Sequence, residues 1–112
     1  MPTGLVERLE QALDRADLDQ AEVARVLGAS PRTVSRWLRE EASPRPDARE
    51  RLLEFLAVLE RLSATLRPEP AHDWLFGPNP LLSHHKPADL LREGRYLEVL
   101  GAVDALGEGV FV

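Results

Sequence analysis

The pattern of apolar and polar positions along the chain predicts helices throughout. Apolar residues recur three and four positions apart, as on one face of a helix, and no stretch of convincing length alternates as a strand does. The sequence therefore predicts an all-α protein. The predicted helices are a first one capped by Thr3, a second from Asp19 to Leu27, a third from Ser30 and Pro31 to about Glu41, a fourth from Asp47 to about Leu66, a short one opened by Pro87, and a last one from Arg95 to Leu106.

Capping residues place the starts of two of these helices. Asp19 and Glu22 form the Asp-x-x-Glu pattern of a capping box, and residues 47–50 repeat it. Gly28 is predicted to end the second helix, because glycine adopts a positive φ angle without strain.

The fourth predicted helix is apolar over more than half of its circumference, with Leu52, Phe55 and Leu59 among its apolar residues. A helix that is apolar on so many sides is generally buried between two neighbours. One neighbour is expected to be the N-terminal helices. The other is either the C-terminal half or a second copy of the chain.

The segment "RPEP" is predicted to divide the chain, because prolines at 68 and 70 cannot continue a helix. Two domains are predicted, over residues 1–66 and 67–112. In the second, short helices are separated by proline and glycine, and Gly94 and Gly107 are predicted to end the last two.

The segment from Gln20 to Leu38, "QAEVARVLGASPRTVSRWL", has the spacing of a helix-turn-helix. Ala24 is the small residue at the place where the second helix crosses close, Gly28 lies in the turn, and Val34 and Trp37 face back. In order and spacing, the segment resembles the helix-turn-helix of the Xre/Cro-like repressors, a resemblance that covers roughly the first predicted domain.

Apolar residues of the second helix of this motif pack inward, so the polar residues on and beside that helix are predicted to face DNA. Arginine pairs with guanine edges, and hydroxyl groups contact bases or phosphates. The alternative is that the bundle serves only as a structural platform whose arginines are solvated. The candidate DNA-binding residues are Gln20, Ser30, Arg32, Thr33, Ser35, Arg36 and Arg39.

Charge changes this interpretation in one respect. The 112 residues carry a net charge of −5, which argues against tight binding to nucleic acid. The segment from Ser30 to Arg39, however, has three arginines and no acid, whereas residues 67–112 have four basic and seven acidic residues. The two halves are therefore expected to have different partners.

Composition argues against several functions. The chain has no cysteine, and its three histidines lack metal-ligand spacing, so no metal, no cofactor and no enzymatic activity are expected. The start "MPTGLVERLEQ" lacks the features of a signal peptide, and no apolar run is long enough to span a membrane. A soluble, cytoplasmic protein is predicted.

Four segments in the C-terminal half, "WLFGPNPLL", "KPADLL", "GRYLEVL" and the final "GVFV", are similar to the toxin-binding domain of the Xre/MbcA/ParS antitoxins. With the helix-turn-helix, the resemblance covers nearly the whole chain. It implies an antitoxin of a type II toxin–antitoxin system. The partner it implies is a cognate RES-domain toxin, which degrades NAD or uses it to ADP-ribosylate a target.

The resemblance also implies that the C-terminal tail enters the active site of the toxin and shuts out NAD. An apolar chain end invites aggregation unless something covers it. The alternative is that Phe111 folds back over Trp74 or Tyr96. The candidate toxin-binding residues are Gly107, Glu108, Gly109, Val110, Phe111 and Val112.

Operator DNA is the second expected partner, bound by a homodimer within a hetero-oligomeric toxin–antitoxin complex that represses its own operon. A homodimer through helix 47–66 would place two recognition helices about one DNA turn apart. The alternative function is a stand-alone Xre-type repressor whose C-terminal half only dimerises. A repressor should tolerate loss of the tail, whereas an inhibitory tail is indispensable.

Overall fold

Residues 4–109 are described by a computed structural model, and all regular structure in that range is helical. No strand occurs within these residues, so the all-α prediction is confirmed. The helices are α1 (Leu5–Arg15), α2 (Gln20–Leu27), α3 (Pro31–Leu38), α4 (Pro46–Ser63), α5 (Pro68–Phe76), α6 (Pro87–Arg92) and α7 (Tyr96–Gly107), with a single 3₁₀ turn over Pro80–Leu82.

Helix α4 lies at the centre of the protein. It packs against α1 and α2 from the N-terminal segment and against α5 and α7 from the C-terminal segment. The second neighbour of this helix is therefore the C-terminal half of the same chain. Its buried side chains are Leu52, Phe55, Leu56, Val58, Leu59 and Leu62.

The buried core is continuous from the N-terminal helices to α7. Leu9 of α1, Leu56 of α4 and Val99 of α7 belong to one cluster, and each is at most 1% exposed. A bidentate ion pair adds a polar link between α1 and α4, because both Nε and Nη2 of Arg8 donate to Glu60 at 2.9 Å.

The predicted capping box of α2 is confirmed. Asp19 Oδ1 accepts from the Glu22 backbone N–H at 2.7 Å, and Glu22 Oε1 accepts from the Asp19 N–H at 3.1 Å. Gly28 ends the helix with φ of +69°, as predicted.

The predicted starts of α1 and α4 are wrong. The cap of α1 is Gly4, while Thr3 lies outside the described residues. Asp47 is not the cap of α4, because Pro46 already occupies the first helical position. A proline there disfavours the helical conformation of the preceding residue, so Arg45 becomes the extended cap residue.

The ends of α3 and α4 each fall three residues before the predicted ones, at Leu38 and Ser63. After α3, Glu40 turns into the left-handed region with φ of +59°, and the Glu41 N–H returns to the Arg36 carbonyl at 2.9 Å. After α4, the chain must reach the extended conformation that Pro68 imposes on the residue before it.

Helix α6 begins at Pro87 and is followed by Gly94 with φ of +84°, both as predicted. The sequence did not predict the contact that completes its C-terminal end. Arg51 Nη1, from α4, donates to the carbonyls of Leu91 at 3.3 Å and Arg92 at 2.9 Å. Because the last carbonyls of a helix lack partners within it, this guanidinium caps α6.

The left-handed conformation of Glu40 predicts a stabilising substitution. A residue with a Cβ atom pays about 1–2 kcal/mol in this conformation, and glycine does not. We expect Glu40→Gly to raise the free energy of unfolding by about 1 kcal/mol, measured by urea denaturation.

Glu10, exposed within α1, offers the matched control. The same exchange at a helical position should lower the free energy of unfolding by about 0.5–1 kcal/mol. Equal losses from Glu40→Gly and Glu10→Gly would contradict the argument from backbone conformation.

Candidate functional site

The two helices of the predicted helix-turn-helix, α2 and α3, pack through small and apolar side chains. Ala24 is 1% exposed, Val34 is fully buried, and Trp37 is 5% exposed. The small side chain at 24 lets the helices approach closely, and Gly28 makes the turn between them. This packing leaves the opposite face of α3 free to meet a ligand.

That opposite face of α3 is basic. Arg32, Arg36 and Arg39 are all exposed, and the helix contains no acidic residue. Within residues 4–109, neither Arg32 nor Arg36 has a carboxylate oxygen within 4.0 Å, and Arg39 meets Glu41 only at that limit. A protein of net negative charge thus carries a local cationic surface at this helix.

The predicted hydroxyl contacts are already engaged within the protein. Ser30 Oγ accepts from the Thr33 backbone N–H at 3.1 Å and lies 2.9 Å from Thr33 Oγ1. Ser35 is half-buried. These groups cap and pack α3, so the arginines are the more accessible part of the predicted set.

Gln20 is exposed at the first position of α2, beside a polar link that the sequence did not predict. The second carboxylate oxygen of Glu22 lies 2.5 Å from His72 Nε2, on α5. The His72 ring also meets Phe76 with a centroid separation of 4.8 Å. The start of the helix-turn-helix is therefore tied to the C-terminal half. The sequence could not predict this contact, because Glu22 and His72 are 50 residues apart and belong to no shared motif.

The non-helical tail that was predicted to follow Leu106 begins later than expected. Gly107 does not stop α7 but is its last residue, because the Glu108 N–H still reaches the carbonyls of Asp104 and Ala105. The chain leaves the helix at Gly109, whose φ is +83°. All three of residues 107–109 are exposed. Val110, Phe111 and Val112 lie outside the described residues.

Apolar surface adjoins this end of the chain. A groove beside the end of α7 is lined by Leu66, Pro68, Trp74 and Leu106, and Trp74 is only half-buried. At the opposite end of α7, Leu97 is also 69% exposed. Large apolar side chains left in contact with water favour a protein partner for the C-terminal half.

Residues 4–109 lack two further features. No group of three or more histidine, cysteine, aspartate or glutamate side chains is placed to hold a metal ion in that part of the chain. No helix there is long and apolar enough to cross a membrane.

The packing of α2 against α3 defines a helix-turn-helix protein, and a helix-turn-helix family model (HTH_3) matches residues 9–61. The mycobacterial cidal antitoxin MbcA of Mycobacterium tuberculosis is 42% identical over 108 residues, covering 96% of each chain, and so is MbcA of Mycobacterium bovis. The probable mycobacterial cidal antitoxin Rv3188 of M. tuberculosis is 33% identical, over 90% of this chain and 86% of the relative.

A solved structure gives the same assignment. The chain matches one from the crystal structure of the M. tuberculosis MbcT–MbcA toxin–antitoxin complex with a TM-score of 0.87 and 40% identity, over 99% of this chain and 100% of that one. The chain therefore belongs to the MbcA family of mycobacterial cidal antitoxins, which confirms the predicted family. Its relatives are named as antitoxins and not as enzymes, which agrees with the sequence-based expectation.

Proposed function

We propose that this antitoxin neutralises a RES-domain toxin that degrades NAD or transfers ADP-ribose, and that it does so by placing its C-terminal tail in the active site of the toxin. The observation that carries the proposal is similarity over the whole chain to a protein solved as part of a toxin–antitoxin complex. The similarity extends over the C-terminal half. If the two proteins shared only a helix-turn-helix, the similarity would end with the N-terminal half.

The end of α7 supports the placement of the inhibitory segment. Residues 107–109 are exposed, and Gly109 changes the direction of the chain just before its last three residues. Those residues, Val110, Phe111 and Val112, carry two small apolar side chains, one aromatic ring and a free carboxylate. Such a segment suits a cleft with apolar walls and cationic groups that otherwise bind the phosphates of NAD.

We also propose that the helix-turn-helix binds operator DNA, so that the protein represses its own operon. The exposed arginines of α3 support this proposal, because the second helix of a helix-turn-helix is the one that enters the major groove in proteins of this fold that bind DNA. A net charge of −5 predicts modest affinity that falls steeply with salt.

The predicted homodimer has limited apolar surface available on α4, because the fold buries six apolar side chains of that helix. A partly accessible groove is lined by Leu53, Glu54, Ala57 and Tyr96, at the contact of α4 with α7. We place the proposed dimer contact there.

The test of the main proposal is co-expression with the product of the neighbouring gene. That product alone should stop growth and lower cellular NAD or modify a target protein with ADP-ribose. Adding this chain should restore growth and suppress the NAD-dependent reaction, and the two proteins should purify together. A neighbouring product that is harmless alone would remove the proposal and favour the stand-alone repressor.

A further inference from the structure

A cleft beside the recognition helix is lined by four arginines. It has a volume of about 710 Å³ and lies among the turn between α2 and α3, one side of α3, the loop that follows it, the start of α4 and the end of α6. The arginines are Arg36, Arg45, Arg51 and Arg92, and the acidic residue among its lining is Asp47. Side chains far apart in the sequence thus converge on one cationic surface.

Arg51 organises this cleft from its inner side. It is half-buried, and its guanidinium donates to the carbonyls of Leu91 and Arg92. These bonds fix the end of α6 against α4 and hold the backbone of Arg92 at the edge of the cleft. Arg51 is therefore a positioning residue whose charge also adds to the local potential.

The other three arginines are available to a ligand. Arg36, Arg45 and Arg92 are exposed, and in the described part of the chain none has a carboxylate oxygen within 4.0 Å. Three guanidinium groups that line one cleft without carboxylate partners repel one another, and a bound anion would relieve this repulsion. Planar guanidinium groups suit phosphate oxygens in particular, because they donate two parallel hydrogen bonds.

The position of the cleft indicates which phosphate it meets. Arg36 and Thr33 belong both to the cleft and to the predicted DNA-binding face of α3, so the two surfaces are continuous. When a recognition helix lies in the major groove, the adjoining protein surface meets the sugar–phosphate backbone.

We propose that this arginine cleft binds backbone phosphates of DNA, with Arg45 and Arg92 as phosphate-contact residues. Arg92 comes from the segment after residue 66, so the C-terminal half takes part in DNA binding as well as in toxin binding. The inference rests on the proposed DNA binding through the helix-turn-helix and extends it to residues outside that motif.

The test is binding of the full chain to a fluorescent duplex from its own promoter region, followed by anisotropy over a series of salt concentrations. The slope of log affinity against log salt is negative, and each lost phosphate contact should make it less steep by about 0.9. Arg45→Ala and Arg92→Ala should each show this change on promoter and scrambled duplexes alike. Arg67→Ala, an exposed arginine outside the cleft, is the matched control and should leave the slope unchanged.

A variant that binds DNA more tightly provides a second test, because misfolding would weaken DNA binding and could not strengthen it. Asp47 repels a phosphate in the cleft, so Asp47→Asn should tighten binding to both duplexes by about 2- to 10-fold at low salt. Thermal unfolding of each variant verifies that the fold is retained.

The outcomes separate the two proposals. No DNA binding by the wild type overturns both. If the wild type binds and Arg32→Ala weakens binding, but the Arg45 and Arg92 variants behave as Arg67→Ala does, the cleft inference fails and the helix-turn-helix proposal stands. If calorimetry shows that the wild type binds inorganic pyrophosphate, and Arg92→Ala weakens this binding without changing the salt slope on DNA, the cleft is a site for free phosphates and the inference is overturned.

Discussion

A chain that ends at Gly109 should still bind the toxin but should no longer neutralise it. Every described hydrogen bond at the end of α7 involves residues up to Gly109, so this truncation leaves the helix and its cap complete. It removes only Val110, Phe111 and Val112. Truncation after Leu106 is a poorer test, because it also removes the last residue of α7 and the cap that follows.

The size of the effect follows from the side chains removed. Burial of a valine or phenylalanine side chain contributes about 1.5–3 kcal/mol each, before the cost of ordering the segment. Even if ordering offsets half of this, inhibition should weaken by about 50-fold or more. The measurement is inhibition of toxin-catalysed NAD turnover as a function of antitoxin concentration, with complex formation measured separately.

A chain of full length with alanine at positions 110–112 is the companion variant. It keeps the length of the tail and the terminal carboxylate, so residual inhibition above that of the truncated chain measures what the carboxylate contributes. Full inhibition by the chain ending at Gly109 would show that another surface of the C-terminal half inhibits the toxin.

The same glycine-to-alanine exchange should have opposite effects at two positions of the C-terminal half. Gly94 has φ of +84°, and a Cβ atom there would lie 2.9 Å from Nη2 of Arg51. Alanine pays about 1–2 kcal/mol for this conformation and also displaces the guanidinium that caps α6. With the two bonds from Arg51 weakened, Gly94→Ala should lower the free energy of unfolding by about 2–4 kcal/mol.

Gly101 and Gly28 supply the matched controls. Gly101 lies within α7 with open space where a Cβ would be, so alanine there should raise the free energy of unfolding by about 0.5–1 kcal/mol. Gly28 has φ of +69° but no neighbour within 4 Å, so Gly28→Ala should show the backbone cost alone, about 1–2 kcal/mol. Urea unfolding measures all three. Equal losses at positions 28 and 94 would show that displacement of Arg51 costs nothing.

Local chemistry explains which parts of the fold could be predicted. The start of α2 and its end at Gly28 follow from capping and backbone preference, and both depend only on residues a few positions apart. The end of α3 could not be predicted in this way, since Glu40 takes a conformation for which the sequence offers no glycine. The observed feature that accompanies this conformation is the hydrogen bond from the Glu41 N–H to the Arg36 carbonyl.

Contacts between distant residues account for what was missed at the site. The helical spacing of α3 placed Arg32 and Arg36 on an exposed face without any structural information. Nothing in the sequence indicates that Arg92 and Arg36 line one cleft, because this arrangement depends on packing between distant helices, including the contact of Arg51 with the end of α6. The periodic spacing of apolar residues predicts which face of a helix is buried, but it does not predict which other helix packs against that face.

The central position of α4 restricts how such antitoxins can diversify. Helix α4 packs against both the helix-turn-helix and the C-terminal helices. The N-terminal and C-terminal halves are therefore not independent units that relatives could exchange without loss of packing. Recombination could join the N-terminal half of one relative to the C-terminal half of another. In the resulting protein, one face of α4 would match its neighbouring helices and the other face would not. A lineage that acquires a new toxin or a new operator is therefore expected to do so through exposed residues, while the two sides of α4 change together.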